Sequence, residues 1–90
     1  MTPTERKKRA LLDKARSRPE SVSFQELQQL ATSFGFVCDR VRGSHRQYIR
    51  FEEPVRLLSI QPRKGDKKMA KAYQVQQLVV FIEEYLLEED

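Results

Sequence analysis

The chain has 90 residues, of which 39% are hydrophobic and 33% are charged, and its formal net charge is +4. This length gives room for one modest hydrophobic core and not for two. No apolar run approaches the roughly 18–20 residues that span a bilayer, and the basic N-terminal segment lacks the apolar stretch of a signal peptide. Cys38 has no second cysteine to pair with. We therefore expect a cytoplasmic protein without membrane association, with Cys38 as a small buried residue.

The charge is distributed in blocks along the chain. Residues 1–18 carry seven basic and two acidic side chains, a net +5, and residues 19–39 carry three acids and no base. Residues 40–71 carry ten basic and three acidic side chains, a net +7, and residues 72–90 carry five acids and no base. A basic middle segment suits a polyanion such as RNA or DNA. The alternative is an ordinary solvated basic surface.

Two helices are predicted before residue 36. Residues 4–16 indicate a short helix with Thr4 as its N-cap, and its few apolar positions suggest a place on the surface. Ser23 and Glu26 have the spacing of a capping box, which predicts a second helix over 24–34. Gly35 can end that helix in the left-handed conformation. The apolar stripe of the second helix consists of Phe24, Leu27, Leu30, Ala31 and Phe34.

Strand-like segments follow. Residues 36–42 and 45–51 are separated only by Gly43-Ser44, which is typical of a hairpin with a type II′ or I′ turn. Residues 55–61 indicate a third strand, and residues 62–68, "PRKGDKK", indicate a basic loop. A last helix is predicted over 72–88. Its expected buried stripe is Val75, Leu78, Val79, Ile82, Tyr85 and Leu86.

This order of elements predicts an α+β fold. Two helices would cover one face of a three-stranded antiparallel sheet, with an extra N-terminal helix outside this unit. We accordingly divide the chain into an N-terminal basic helix, residues 1–18, and an α-β-β-β-α domain, residues 19–90.

The predicted hairpin register places the polar residues of the tip on the buried face. A two-residue turn pairs Arg42 with His45, and side chains alternate between the two faces along each strand. On one face the expected apolar base is Phe36, Cys38, Ile49 and Phe51, and the expected polar tip is Arg40, Arg42, His45 and Gln47. Arg46 and Tyr48 are expected on the other, solvated face. There the Tyr48 ring could stack on a nucleic-acid base or pack against the neighbouring strand.

His45 is the only histidine of the chain. Histidine is the side chain best suited to exchange a proton near neutral pH, and neighbouring arginines can hold a phosphate. The alternative is an exposed polar residue at the tip of a hairpin. One histidine and one cysteine cannot form a usual zinc site, and three scattered glycines do not form a phosphate-binding loop. No metal and no other cofactor are expected.

Two segments resemble the HicA family, the toxin half of a bacterial toxin–antitoxin pair. These are "FGFVCDRVRGSHRQYIRF", residues 34–51, and "KAYQVQQLVVFIEEYLL", residues 71–87. In the first, a helix ends in a Gly-Phe pair, a strand follows, and Gly43-Ser44-His45 opens the next strand. The second is similar to the family branch whose last helix begins with a Tyr-Gln-Val stretch. The resemblance extends over roughly residues 5–88.

The resemblance implies a fold similar to the double-stranded-RNA-binding domain and a metal-independent ribonuclease that cleaves mRNA, an mRNA interferase. It also implies a HicB-type antitoxin as a partner. The catalytic histidine of the family corresponds to His45, and the residues before it correspond to Gly43 and Ser44. Two positions depart from the family pattern. Arg46 replaces a second histidine, and residues 62–64 replace a histidine in the loop after the third strand.

The expected RNA contacts come from the hairpin and from the basic segment after the third strand. They are Gly43, Ser44, Arg40, Arg42, Arg46, Arg63, Lys64, Lys67, Lys68 and Lys71. Two other functions fit the same features. One is a non-catalytic RNA-binding module with a fold like the double-stranded-RNA-binding domain. The other is a protein-binding domain whose basic face docks an acidic partner.

Overall fold

The computed structural model describes residues 2–87. It has three α-helices, a three-stranded antiparallel sheet of order β1-β2-β3 and a two-stranded sheet β4-β5, so the predicted α+β class and three-stranded sheet are confirmed. A 3₁₀ turn (Pro19–Ser21) joins the first two helices, and a π-helical turn (Ile82–Leu86) follows the last. The elements are α1 (Pro3–Ser17), α2 (Phe24–Ser33), β1 (Phe36–Arg42), β2 (His45–Arg50), β3 (Arg56–Ile60), β4 (Pro62–Arg63), β5 (Asp66–Ala70) and α3 (Ala72–Phe81).

Helix α1 begins earlier than predicted and packs into the core. Thr2, not Thr4, is its N-cap: the Thr2 hydroxyl accepts a hydrogen bond from the Glu5 backbone N–H at 3.1 Å. The Glu5 carboxylate accepts in return from the Thr2 N–H, which completes a capping box. Leu12 and Ala15 are buried in the hydrophobic core. The helix is thus anchored by one apolar edge while its basic side chains stay exposed.

Helix α2 begins with the predicted capping box. The Ser23 hydroxyl accepts from the Glu26 N–H at 3.0 Å, and the Glu26 carboxylate accepts from the Ser23 N–H at 2.9 Å. Lys14 on α1 donates to both oxygens of that carboxylate, at 3.0 and 3.1 Å. The helix ends one residue earlier than predicted, with Gly35 after it at φ +92°. Glu26 therefore serves both the start of α2 and its contact with α1.

A β-bulge at Asp39 divides the hairpin into two registers. Near the turn, Arg42 lies opposite His45 and Arg40 opposite Gln47, as predicted. Asp39 is then an extra residue in β1, so Cys38 lies opposite Tyr48 and not opposite the predicted Ile49. The predicted pairing of Phe36 with Phe51 is wrong for the same reason, because Phe36 lies opposite Arg50. In the turn, only Gly43 has a positive φ, +57°, as the type II′ turn requires.

The bulge leaves Phe36 on the predicted inner face but moves the hairpin tip and β2 to the faces opposite to those predicted. The face covered by helices holds Phe36, Tyr48, Leu58 and Ile60, all buried. His45 lies on the opposite, outer face, because it is an odd number of positions from Tyr48 in the same strand. The prediction that His45 shares a face with the buried layer is therefore wrong.

Two further predictions change with the face, those for Phe51 and Tyr48, and Phe51 is 66% exposed. Cys38 stays on the inner face, opposite Tyr48, but it is exposed and not buried as predicted. Tyr48, expected on the solvated face, lies beneath α2, where its hydroxyl donates to Gln28 Oε1 at 2.8 Å. Burial raises the pKa of the Tyr48 hydroxyl. The Tyr48 ring therefore belongs to the core and is not available to stack on a base.

Residues 62–68, predicted as a loop, belong to the hairpin β4-β5. Its turn contains Gly65 at φ +90°. The hairpin is attached to the start of α2, because the Ala70 N–H donates to the Val22 carbonyl at 3.0 Å and Met69 forms a bridge with Ser23. The prediction failed because the strand consists mostly of exposed charged residues, which do not show the apolar alternation of a half-buried strand.

The last helix changes geometry at Phe81. Val75, Leu78, Val79 and Ile82 are buried as predicted. The π-helical turn alters the angular spacing of the side chains after Phe81, and Tyr85 is 59% exposed. Phe81 fills the core instead, with its ring edge against Phe36 at a centroid distance of 5.8 Å. The last predicted helical residue, 88, lies outside the described residues.

No helix within residues 2–87 combines the length and the apolar character that a membrane span requires.

The capping box of α2 predicts a pH-dependent stability. The Ser23 N–H, followed by the Lys14 ammonium, holds the pKa of Glu26 below its ordinary value of 4.5. A lowered folded-state pKa means that this stabilisation is present above that ordinary value and is lost as the pH falls through the lowered one. We expect Glu26→Gln to lower the free energy of unfolding by roughly 1 kcal/mol at pH 7, measured by urea denaturation. The difference should shrink as the pH falls through the lowered pKa of Glu26.

The exposed Glu84, changed to Gln, is the matched control and should have little effect at neutral or acid pH. A destabilisation by Glu26→Gln that stayed the same from neutral to acid pH would contradict a role for its ionised form.

Candidate nucleic-acid interface

The outer face of the hairpin tip carries a compact group of polar side chains. The two-residue turn places His45 directly opposite Arg42, and the next pair is Arg40 with Gln47. Across the other side of β2, Gln47 lies opposite Ser59 of β3. Alternation along the strands therefore brings all five residues to the same face. The sequence predicted the first four as a group, but on the wrong face, and it missed Ser59.

These side chains line a depression of about 190 Å³, which we call the hairpin cavity. Its lining residues are Arg40, Arg42, His45, Arg46, Gln47 and Ser59. None of the three arginines has a carboxylate within ion-pairing distance in residues 2–87, so their charge is not compensated there. Arginines beside one imidazole and two neutral polar side chains are groups that can hold an anion such as a phosphate.

Arg46 approaches the cavity from the other face of the sheet. It is adjacent to His45 in β2 and therefore has the opposite orientation, and it lies across from the buried Ile60 of β3. Arg46 is half-buried and borders the hairpin cavity from its place in β2 between His45 and Gln47. Its side chain starts from the inner face, whereas those of Arg40 and Arg42 start from the outer face.

A second depression, of about 330 Å³, lies beside the first and is called the lysine cavity here. Its lining residues are Ser44, Gln61, Pro62, Arg63, Lys64, Gly65, Lys67 and Lys71. Ser44 and His45 are consecutive, and one lines each cavity, so the hairpin tip separates the two. Of the other expected RNA contacts, Lys68 lines neither cavity, and Gly43 provides the conformation of the turn.

Arg63 has a structural role in addition to lining the lysine cavity. Its guanidinium donates from Nη2 to the Glu20 carbonyl at 2.7 Å and from Nε to the Ala70 carbonyl at 3.2 Å. These bonds tie the β4-β5 hairpin to the 3₁₀ turn before α2. Arg63 therefore positions the lysines of the hairpin.

Gln74, which the sequence analysis did not single out as a site residue, fixes the end of β3 between the two cavities. Its side chain is buried in α3; Oε1 accepts from the Gln61 N–H at 3.1 Å and Nε2 donates to the Ser59 carbonyl at 3.4 Å. Gln61 and Ser59 line different cavities. A glutamine on an otherwise apolar helical stripe was the one available signal, since a buried amide needs hydrogen-bond partners.

A wider groove of about 650 Å³ lies between α1 and α2. Lys7, Lys8 and Leu11 line one side, and polar uncharged residues of α2 line the other. No histidine, cysteine or carboxylate is among the residues that line the groove. The hairpin cavity is smaller but combines a titratable side chain with anion-binding groups.

Metal-binding residues are scarce in the described part of the chain. Within residues 2–87, no three histidine, cysteine, aspartate or glutamate side chains lie close enough together to hold a metal ion. Comparisons of the chain with protein-family models, curated proteins and solved structures found no match.

Arg63 and Lys64 should respond differently to substitution. Arg63→Ala removes two hydrogen bonds from a charged donor, and we expect it to lower the free energy of unfolding by about 1–2 kcal/mol. Lys64→Ala removes only an exposed charge and should leave stability within about 0.5 kcal/mol of the parent. Urea denaturation of both variants measures this. Equal stability of the two variants would contradict the structural role of Arg63.

Proposed function

We propose that this protein is a metal-independent ribonuclease that cleaves mRNA and acts as the toxin of a type II toxin–antitoxin pair of the HicA kind. The observation that carries the proposal is the exposed His45 among three arginines that lack ion-pair partners in the described chain. The Gly43-Ser44-His45 motif and the Tyr-Gln-Val stretch of α3 support the same assignment. The proposed location is the cytoplasm.

The proposed chemistry uses the nucleophile that RNA itself carries. His45 removes the proton from a 2′-hydroxyl, whose oxygen attacks the adjacent phosphorus. The bond from phosphorus to the 5′-oxygen breaks, which leaves a 2′,3′-cyclic phosphate and a 5′-hydroxyl. The proton returns to the leaving oxygen from the imidazolium or from water. Arg40, Arg42 and Arg46 stabilise the negative charge that develops on the phosphate oxygens.

The surrounding fold supports this interpretation. Helices α2 and α3 contact the inner face of the three-stranded sheet through Gln28 and Phe81, as in the two-layer arrangement expected of a double-stranded-RNA-binding-domain-like fold. We propose that the chain has that fold, with α1 as the additional helix. In this arrangement the helices cover one face and leave the outer face, with His45, accessible to RNA.

The lysine cavity extends the positive surface beyond the cleavage site. Lys64, Lys67 and Lys71 can attract further phosphates of the same strand without reading its sequence. A HicB-type antitoxin would block RNA by covering this surface with acidic groups, and we propose such a protein as the partner.

The proposed mechanism predicts the effect of replacing His45. His45→Ala should reduce the rate of RNA cleavage by on the order of 10²–10⁴-fold, because it removes the only candidate proton-transfer group in the cavity. It should also abolish growth arrest on expression. Since His45 is exposed, the thermal midpoint of unfolding should not change. The measurement is cleavage of purified mRNA in the presence of a metal chelator.

Gln77→Ala, on the exposed surface of α3, is the control and should cleave at the parent rate. If purified His45→Ala cut RNA as fast as the parent protein, the catalytic assignment would be wrong.

A second prediction concerns Arg42, which lies directly opposite His45. Arg42→Ala should weaken the binding of single-stranded RNA and lower the slope of log affinity against log salt concentration by about 0.7, the value for one phosphate contact. Fluorescence anisotropy over a series of salt concentrations measures both. An unchanged slope of log affinity against log salt concentration would show that Arg42 does not contact a phosphate.

A non-catalytic RNA-binding module is the second candidate function. It is favoured by the single imidazole of the cavity, since Arg46 replaces the second histidine of the family pattern that the chain resembles. Such a module should prefer duplex to single-stranded RNA, tolerate His45→Ala and yield no cyclic phosphate ends. The nuclease should show the opposite in all three respects.

A further inference from the structure

Gln47 and Ser59 form an uncharged pair beside the proposed cleavage site. They lie directly opposite each other in β2 and β3, and both line the hairpin cavity. Gln47 is two residues from His45 in the same strand, which corresponds to about 7 Å along the outer face. The Ser59 carbonyl is used by Gln74, whereas the Ser59 hydroxyl and the Gln47 amide have no hydrogen-bond partner within residues 2–87. Both side chains are therefore available to a ligand.

The chemistry of this pair differs from that of its neighbours. A guanidinium group that holds a phosphate does not read sequence, whereas an amide and a hydroxyl offer donors and acceptors to the edge of a base. Neither Gln47 nor Ser59 can transfer a proton near neutral pH. Their place next to the reacting phosphate suits recognition of the adjoining nucleotide.

An apolar row lies on the far side of this pair. Val37, Ile49 and Leu57 face one another across β1, β2 and β3 on the outer face, and Val37 and Leu57 are 52% and 56% exposed. From the hairpin tip inward, the face thus presents Arg42 with His45, then a row in which Arg40 flanks the neutral pair, then an apolar surface. Phosphates, base edges and base faces of a single strand match this order, and the uncompensated arginines favour a polyanion over a protein as its occupant.

We propose that Gln47 and Ser59 read the base next to the cleaved phosphate and so determine the sequence specificity of the protein, with the apolar row supporting the face of that base. The inference rests on the proposed ribonuclease function. Adenine is the base whose edge a glutamine amide pairs with through two hydrogen bonds, so adenine is the expected preference.

The experiment compares base preference in three variants. Cleavage sites of the parent, Gln47→Ala and Gln47→Glu are mapped on one mRNA by sequencing the 5′ ends. The parent should favour adenine beside the cut by roughly tenfold over uracil, and Gln47→Ala should lose this preference. Gln47→Glu is isosteric but only accepts hydrogen bonds, so its preference should move towards cytosine, which has an amino donor. Ser59→Ala should weaken the adenine preference, and Gln76→Ala on the surface of α3 is the matched control.

A binding measurement separates this inference from the proposed function. In a His45→Ala background, short fluorescent oligonucleotides that differ in one base are titrated with and without Gln47→Ala. Loss of adenine preference in this assay supports the inference even if the parent protein cleaves no RNA. If the parent protein and Gln47→Ala cleave RNA with the same base preference, the inference about Gln47 is wrong and the proposed ribonuclease function is not affected. Absence of oligonucleotide binding, as expected if an acidic protein occupies the face, also overturns it.

Discussion

The β-bulge at Asp39 determines which face of the sheet each half of β1 contributes to. Side chains alternate between faces along a strand, so one inserted residue reverses the side on which every residue beyond it lies. Because of the bulge, Phe36 can fill the core on the same face as Tyr48, while Arg40 and Arg42 nearer the turn remain on the outer face. A regular hairpin would place either the aromatic core residue or the arginines on the wrong side. The bulge thus allows one strand to serve both the core and the basic surface.

Electrostatic pairing is divided between the two sides of the molecule. All three ion pairs within residues 2–87 involve α1, where Lys14 pairs with Glu26 and Arg16 pairs with Asp13 and Glu83. The acids of the helical layer therefore neutralise part of the N-terminal basic segment, and among the described residues no acid pairs with the arginines of the hairpin cavity. Arg63 and Arg50 instead donate hydrogen bonds to backbone carbonyls. The bonds of Arg63 hold the β4-β5 hairpin, and those of Arg50 hold the segment after β2. Basic residues of the same segment thus divide into structural donors and free cations.

The two cavities depend on contacts that are distant in sequence. Gln74 from α3 holds β3 on both sides of Ile60, and Arg63 holds the lysine hairpin against the turn before α2. Both contacts use the backbone of the partner, so they fix the path of the chain and leave the lining side chains free. A surface of exposed, mutually repelling cations needs such support, because those cations contribute no stability of their own.

Local signals in the sequence determined the start of α2 through Ser23 and Glu26, its end at Gly35 and the two-residue turn at Gly43-Ser44. Each of these depends on residues within four positions of one another, so the sequence alone is sufficient. It also determined that His45 lies opposite Arg42, since that pair is adjacent to the turn. Only the tertiary structure decided the bulge at Asp39, and with it the face of His45 and the burial of Tyr48. It likewise decided the strand character of residues 66–70 and the place of Ser59 in the cavity. The physical reason is that these features follow from the packing of helices on the sheet and from pairing between strands. The turn alone would impose a regular register, but the free energy gained by burying Phe36 and Tyr48 outweighs it.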